Sequence, residues 1–184
     1  MPLNIPAGEV ERVSFGLGVL KIGSPGTTPT TDVGYARGAT LTVTRQKLDL
    51  FQGVPRTLIR TFANQEDVSL QFTGLQWSLA RLKDLLGSGT FAAGPPEQLD
   101  FGGKIDFSEV GVFFQHRTPT QGTVDIYIWK AQGQGELNLS FGDDFQEFNY
   151  QFRALPGTTD FAGQAIAAGS DDLIRIKFTK GATT

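Results

Sequence analysis

The sequence predicts a mainly β protein: an antiparallel β-sandwich or partial barrel of about eight strands with one flanking α-helix. Three observations predict it. Short apolar runs alternate with polar residues at the strand period through most of the chain. Glycine, at 23 residues, and Pro/Thr-rich turns punctuate those runs, while 15 Phe supply large apolar β-formers. One stretch alone, Leu75–Leu86, has its apolar residues at helical spacing. A length of 184 residues at 39 % hydrophobic content suits a single domain, 1–184, with a few appended arms.

Residues 1–15 hold two prolines and scattered charges and read as an extended arm. Phe15–Ile22 is the first expected strand, followed by a loop of turn residues and Thr from Gly23 to Asp32. Gly16, Gly18 and Gly23 lack phosphate-loop spacing and precede no helix, so structural glycines are expected there. Ala39–Arg45 alternates Leu41 and Val43 with Thr42 and Thr44, as a half-buried strand does. A turn at Gly53–Pro55 and a returning strand, Thr57–Phe62, complete a long hairpin. Its distal part, residues 46–56, sets Leu48, Leu50 and Phe51 among charges with no partner inside the domain. Apolar groups held away from a core are ordinarily buried against another chain.

Asn64–Asp67 reads as a turn before a strand that puts Val68, Leu70 and Phe72 on one face. Gly74 then introduces the helix, whose stripe of Leu75, Leu79, Leu82 and Leu86, with Leu85 beside it, is expected to dock on the sheet. Gly87 is placed to cap its C-terminus. Residues 88–104 read as a long, structureless Gly/Pro-rich loop. Strands are expected at Val110–Gln115, Thr123–Ala131, Gln146–Ala154 and Leu173–Thr179, with a glycine-rich loop after Ala131. The Asp125/Tyr127/Trp129 face and the Glu147/Asn149/Gln151/Arg153 face are expected to meet water or a wet lumen.

Composition narrows the function. With 16 basic against 19 acidic residues, net −3, the chain lacks the cationic surplus that phosphate-backbone binding needs. It has no cysteine, which excludes disulfides, thiol nucleophiles and cysteine-held metals. The N-terminal residues show no secretion signal, and no apolar run approaches a membrane span of about 20 residues. A soluble, non-exported protein without cofactor or metal is expected.

No catalytic constellation emerges. His116, the lone histidine, is expected as a plain surface or turn residue without a nucleophile motif around it. The acid pairs Glu66-Asp67, Asp143-Asp144 and Asp171-Asp172 fall where solvated carboxylates are ordinary, and none has calcium-loop spacing. A pair of carboxylates brought together for glycoside hydrolysis is a three-dimensional matter that spacing leaves open. Trp77 and Trp129 could stack on a sugar, although packing is the expected role for both.

Residues 32–87 bring a family into view. Pro29-Thr30-Thr31-Asp32-Val33-Gly34-Tyr35 leads through Gly38 into a Thr-rich strand and a hairpin with a long charged arm. A VSLQF strand (Val68–Phe72) and an LxxxLxxLxxLL helix closed by Gly87 follow. This order resembles the tail tube (major tail) proteins of long-tailed bacteriophages; the C-terminal half agrees in being β-rich. The resemblance implies subunits that join edge to edge into hexameric rings, whose inner strands make one continuous barrel. The rings stack into a hollow virion tail tube that conducts DNA without binding it specifically. It implies assembly in the host bacterial cytoplasm, no enzymatic activity, and partners such as the tape measure and tail terminator proteins. The fold is shared with inner tubes of contractile tails and of type VI secretion. On this reading Lys47, Leu48, Asp49, Leu50, Phe51 and Arg56 form the inter-ring stacking arm. A weakly acidic balance suits a conduit that must not hold DNA, and Asp125 and Glu147 are the lumen-facing acids expected.

A second reading, from a different class, is a carbohydrate- or surface-binding β-sandwich of a tail fibre or capsid decoration protein. It rests on aromatics expected to be exposed, Trp129 above all, and on the Gly/Pro loops.

Overall fold

The computed structural model describes residues 18–74, 78–102, 107–118, 122–134, 148–167, 169 and 172–180. The strands are β1 (Gly18–Gly23), β2 (Thr31–Gln52), β3 (Thr57–Gly74), β4 (Thr90–Ala92), β5 (Gln98–Asp100), β6 (Glu109–Thr118), β7 (Gly122–Gln134), β8 (Phe148–Leu155) and β9 (Ile174–Lys180). Helix α1 (Leu79–Leu86) lies between β3 and β4. The expected mainly β, antiparallel architecture with a helix on its flank is what the chain adopts.

Seven strands form one antiparallel sheet in the order β6-β1-β2-β3-β8-β7-β9, and an additional ladder between β6 and β7 folds the sheet back on itself. The alternating side chains of these strands then meet inside the curl. Leu20, Leu70, Val112, Ile128 and Phe152 are fully buried there. Phe72 stacks on Phe152 at 5.9 Å and tilts onto Tyr150 at 4.9 Å, so neighbouring strands contribute rings to one layer.

Helix α1 begins later than its leucine spacing suggests. Ser78 is the N-cap in extended conformation (φ −144°, ψ 151°), and its Oγ accepts from the Arg81 amide at 3.4 Å. A serine that satisfies an otherwise orphaned amide outweighs a leucine further back; Leu75 and Trp77 lie outside the described residues. Leu82 and Leu85 are buried at the centre of the helix face, with Leu79 and Leu86 at its margins. Burying each of the two central leucines stabilises by roughly 1.5–3 kcal/mol. Gly87 ends the helix at φ +66°, the left-handed region, its N–H returning to the Asp84 carbonyl. The helix end presses so closely on β7 that a Cβ at Gly133 would stand 2.1 Å from the Leu85 carbonyl oxygen.

Two expectations fail in instructive ways. Asn64–Asp67 is not a turn: β3 runs unbroken from Thr57 to Gly74. Gln46 pairs with Gln65 but Lys47 pairs with Ala63, so Asn64 is the extra residue of a β-bulge. The turn-like composition marks a kink in the ladder. Residues 88–104 are not structureless either, because β4 and β5 pair antiparallel there, Thr90 opposite Asp100 and Ala92 opposite Gln98. These strands are too short to show alternation. The glycine-rich loop expected after Ala131 is strand over residues 132–134, since β7 continues through Gln134, and its remainder lies outside the described residues. No helix among the described residues is long and apolar enough to cross a membrane.

Candidate assembly surface

Strands β2 and β3 outrun the domain. Strand β1 is described from Gly18, which pairs with Ala36 of β2, and β8 pairs with β3 only from Ser69 onward. Beyond the Val43–Val68 pair the backbones of the two strands ladder only with each other among the described residues, through to Gln52 opposite Thr57. The result is a two-stranded ribbon about 30 Å long at roughly 3.3 Å per residue. At its root, Arg45 pairs with Glu66 at 3.0 Å and Arg153 of β8 with Asp67 at 2.7 Å. Glu66 and Asp67 are thus strand residues in ion pairs, not loop acids. Gly53, at φ +93°, opens the turn at the tip.

The ribbon is apolar where a solvated hairpin would be polar. Leu48 lies opposite Phe62 and Leu50 opposite Arg60, so these four share one face. The Arg60 guanidinium sits over the Phe62 ring at 5.0 Å. The other face carries Asp49, whose Oδ1 accepts from the Thr61 hydroxyl at 2.7 Å. A second bulge, at Ile59, changes the pairing so that Phe51 lies opposite Leu58, on the Asp49 side near the tip. Leu48, Leu50, Phe51, Val54, Leu58, Ile59 and Phe62 are all exposed, Leu48 at 61 %. Lys47, Asp49 and Arg56 from the expected arm are exposed between them. Large apolar side chains exposed on both faces of a ribbon make it a candidate contact surface.

A second such surface lies at the sheet margin. β9 pairs with β7 and forms the end of the sheet, leaving its outer edge without a strand neighbour among the described residues. Ile176 and Phe178 lie opposite the core residues Ile126 and Val124, yet Ile176 is 57 % and Phe178 48 % exposed. An unpaired edge with an uncovered apolar face is a template for another chain. Alternation in the sequence had placed these two residues on the core side of their strand; it gave no sign that the core ends before it reaches them. Leu58, Ile59 and Phe62 were missed for the same reason, as members of an ordinary strand.

The Asp125/Tyr127/Trp129 face departs from expectation. It is covered by the segment 157–167, a compact clip in which Asp160 Oδ1 accepts from the amides of Ala162 and Gln164, both at 2.9 Å. The clip lays Phe161 edge-on to Trp129 at 5.0 Å, and the Arg175 guanidinium stacks on the same indole at 5.0 Å. Trp129 is 3 % exposed, so its ring offers no platform to a sugar. Gly157 is required beneath it, where a Cβ would come within 2.7 Å of the Trp129 Cβ. Asp125 is 8 % exposed and accepts from Gln115 Nε2 at 2.8 Å and from the Tyr127 hydroxyl at 3.4 Å. Burial, then the neighbouring Asp125 charge and hydrogen bond, push the Tyr127 pKa up, with Arg175 opposing. Asp125 is therefore engaged within its own chain. Glu147, Asp143, Asp144 and Asp171 lie outside the described residues, as does the N-terminal arm.

His116 is not in a turn. It pairs with Gly18 on one side and Val124 on the other, in mid-ladder, and its Nε2 is buried without a hydrogen-bond partner among the described residues. No carboxylate is described in contact with it, so the orienting acid of a catalytic histidine is not on view.

No protein-family model matches this sequence, and no curated protein matches it either.

Proposed function

We propose that this chain is a structural, self-assembling subunit of a bacteriophage tail tube, forming hexameric rings that stack into a hollow conduit for DNA. The observation that carries the reading is the ribbon Val43–Val68, which places Leu48, Leu50, Phe51, Leu58 and Phe62 in water beyond the reach of their own core. Burying those groups needs a second copy or another tail protein, and the ribbon is long enough to reach one. Strand β9 supplies the other requirement, an open edge through which neighbours can extend a sheet around a ring. Stacking of rings head to tail is a heterologous contact, which propagates into a filament. On this reading the protein resides in the virion tail and does no chemistry.

The test is negative-stain electron microscopy of the purified protein over a range of concentration and salt. Rings about 80–100 Å across, a width expected from six domains of this size, or tubes of that width, are the expected outcome. A protein that stays monomeric at high concentration under every salt condition overturns the reading. Trp129 is buried and so lends no stacking platform to the carbohydrate-binding reading.

A further inference from the structure

The clip over the outer face leaves a groove away from the ribbon. Register builds its floor as a row across four strands: Lys21 opposite Phe113, Phe113 opposite Tyr127, and Tyr127 opposite Arg175. Lys177 lies two residues beyond Arg175 on the same face of β9. Thr28, Pro29, Phe161 and Ala162 wall the space, which measures about 440 Å³. That volume lies in the range of sites that take small ligands. The floor is aromatic, with Tyr127 5.1 Å from Phe113 and 6.0 Å from Phe161 between ring centroids.

The charge at the groove is cationic. Lys21, Arg175 and Lys177 line it, and Asp160 is the acid beside them. The Asp160 carboxylate is already turned to two amides of its own clip. Asp125, beside Tyr127 on the same face and opposite Lys177 in the β7–β9 ladder, is buried with its oxygens taken by Gln115 and Tyr127. Ammonium and guanidinium groups at the two ends of a floor of tilted aromatic rings attract an anion with an aromatic body.

We infer that this groove binds a small aryl carboxylate. The ring lies on Phe113, Tyr127 and Phe161, and the carboxylate meets Lys177 and Arg175 at the β9 end. This site is separate from the ribbon, and its Arg175 and Lys177 lie on β9, the strand whose outer edge is proposed to meet a neighbouring subunit.

The experiment titrates the intact protein with naphthoate, and separately with the neutral naphthylmethanol, by calorimetry or ligand-observed NMR. Saturable naphthoate binding is expected, about tenfold stronger than that of the alcohol, from the loss of one charge-assisted contact. Lys177→Ala should weaken naphthoate about tenfold, while Lys83→Ala, on the helix, should not. Lys177 is exposed on an edge strand, and circular dichroism checks that the variant folds. Equal affinity for acid and alcohol, or a Lys177→Ala variant that binds like the parent, overturns the proposal. So does a loss of binding in Leu50→Asp/Phe51→Asp, which would place the ligand on the ribbon. Absence of saturable binding by about 5 mM overturns it too.

Discussion

Leu48 and Phe62 face each other across the β2–β3 ladder, and both are exposed, at 61 % and 42 %. Opposed apolar side chains on paired strands normally seal a core. Here the two strands have left the domain, and the pair presents an apolar step to solvent, with Leu50 next to it on the same face.

Replacing Leu50 and Phe51 together by Asp should leave the fold intact and block assembly. Both side chains are exposed, so the thermal unfolding free energy should change by less than about 1 kcal/mol. Electron micrographs should lose tubes. If the double variant instead fails to fold, these side chains belong to the core and the ribbon has no assembly role.

Phe178→Asp tests the sheet margin separately. The side chain is about half exposed on β9, so the monomer should fold with near-parental circular dichroism. A charge on an edge strand discourages strand addition, and sedimentation should show smaller oligomers than the parent forms. Unchanged oligomers would mean that β9 is not an interface.

The seat of α1 on β7 depends on a missing side chain. Gly133→Ala would drive a methyl against the Leu85 carbonyl, and should cost about 1–3 kcal/mol as helix and strand move apart. Ser78→Ala, which removes the helix cap, should cost about 1 kcal/mol. Urea unfolding of both variants measures the two effects, and a neutral Gly133→Ala would show that the helix is free to shift.

Tyr150 gives a pH prediction. Its hydroxyl is buried without a hydrogen-bond partner among the described residues, and burial pushes its pKa up to about 12. The folded protein therefore holds this proton more tightly than the unfolded chain does. The associated stability is intact below the unfolded pKa of about 10 and is lost as pH rises toward about 12, at about 1.4 kcal/mol per pH unit. Tyr150→Phe should be as stable as the parent at neutral pH or slightly more so. Denaturant unfolding across the alkaline range should show a shallower loss for the variant. Identical alkaline profiles would place the titration elsewhere.

The fold was legible wherever one face of an element is buried. Val68, Leu70 and Phe72 against Ser69 and Gln71 announce a strand because the core imposes their period. On the ribbon neither face is buried, nothing imposes a period, and Asn64 looked like a turn while sitting in a bulge. The role of the Asp125/Trp129 face was hidden for another reason. Polar and aromatic residues alternate there as on a wet surface, and only the return of Phe161 from more than thirty residues away covers them. Sequence spacing reports which way a side chain points, not what later chain comes to lie over it. The exposed apolar arm could be read because its leucines and Phe51 sit among charges around a plain turn signal. The β9 margin could not, because Ile176 and Phe178 look like core until the width of the sheet is known.

The ribbon's ladder also governs how the protein can change its reach. Past Val43 and Val68 its strands ladder with no other described strand, and beyond the Arg153–Asp67 pair at the root its length is not set by the rest of the sheet. Adding two residues to each strand would move the tip outward by about 7 Å and keep every side chain on its present face. Adding one would turn Phe51 and Leu58 to the opposite side. The arm can therefore be lengthened or shortened in steps of a strand pleat without touching the core, as a gauge block is added to a stack.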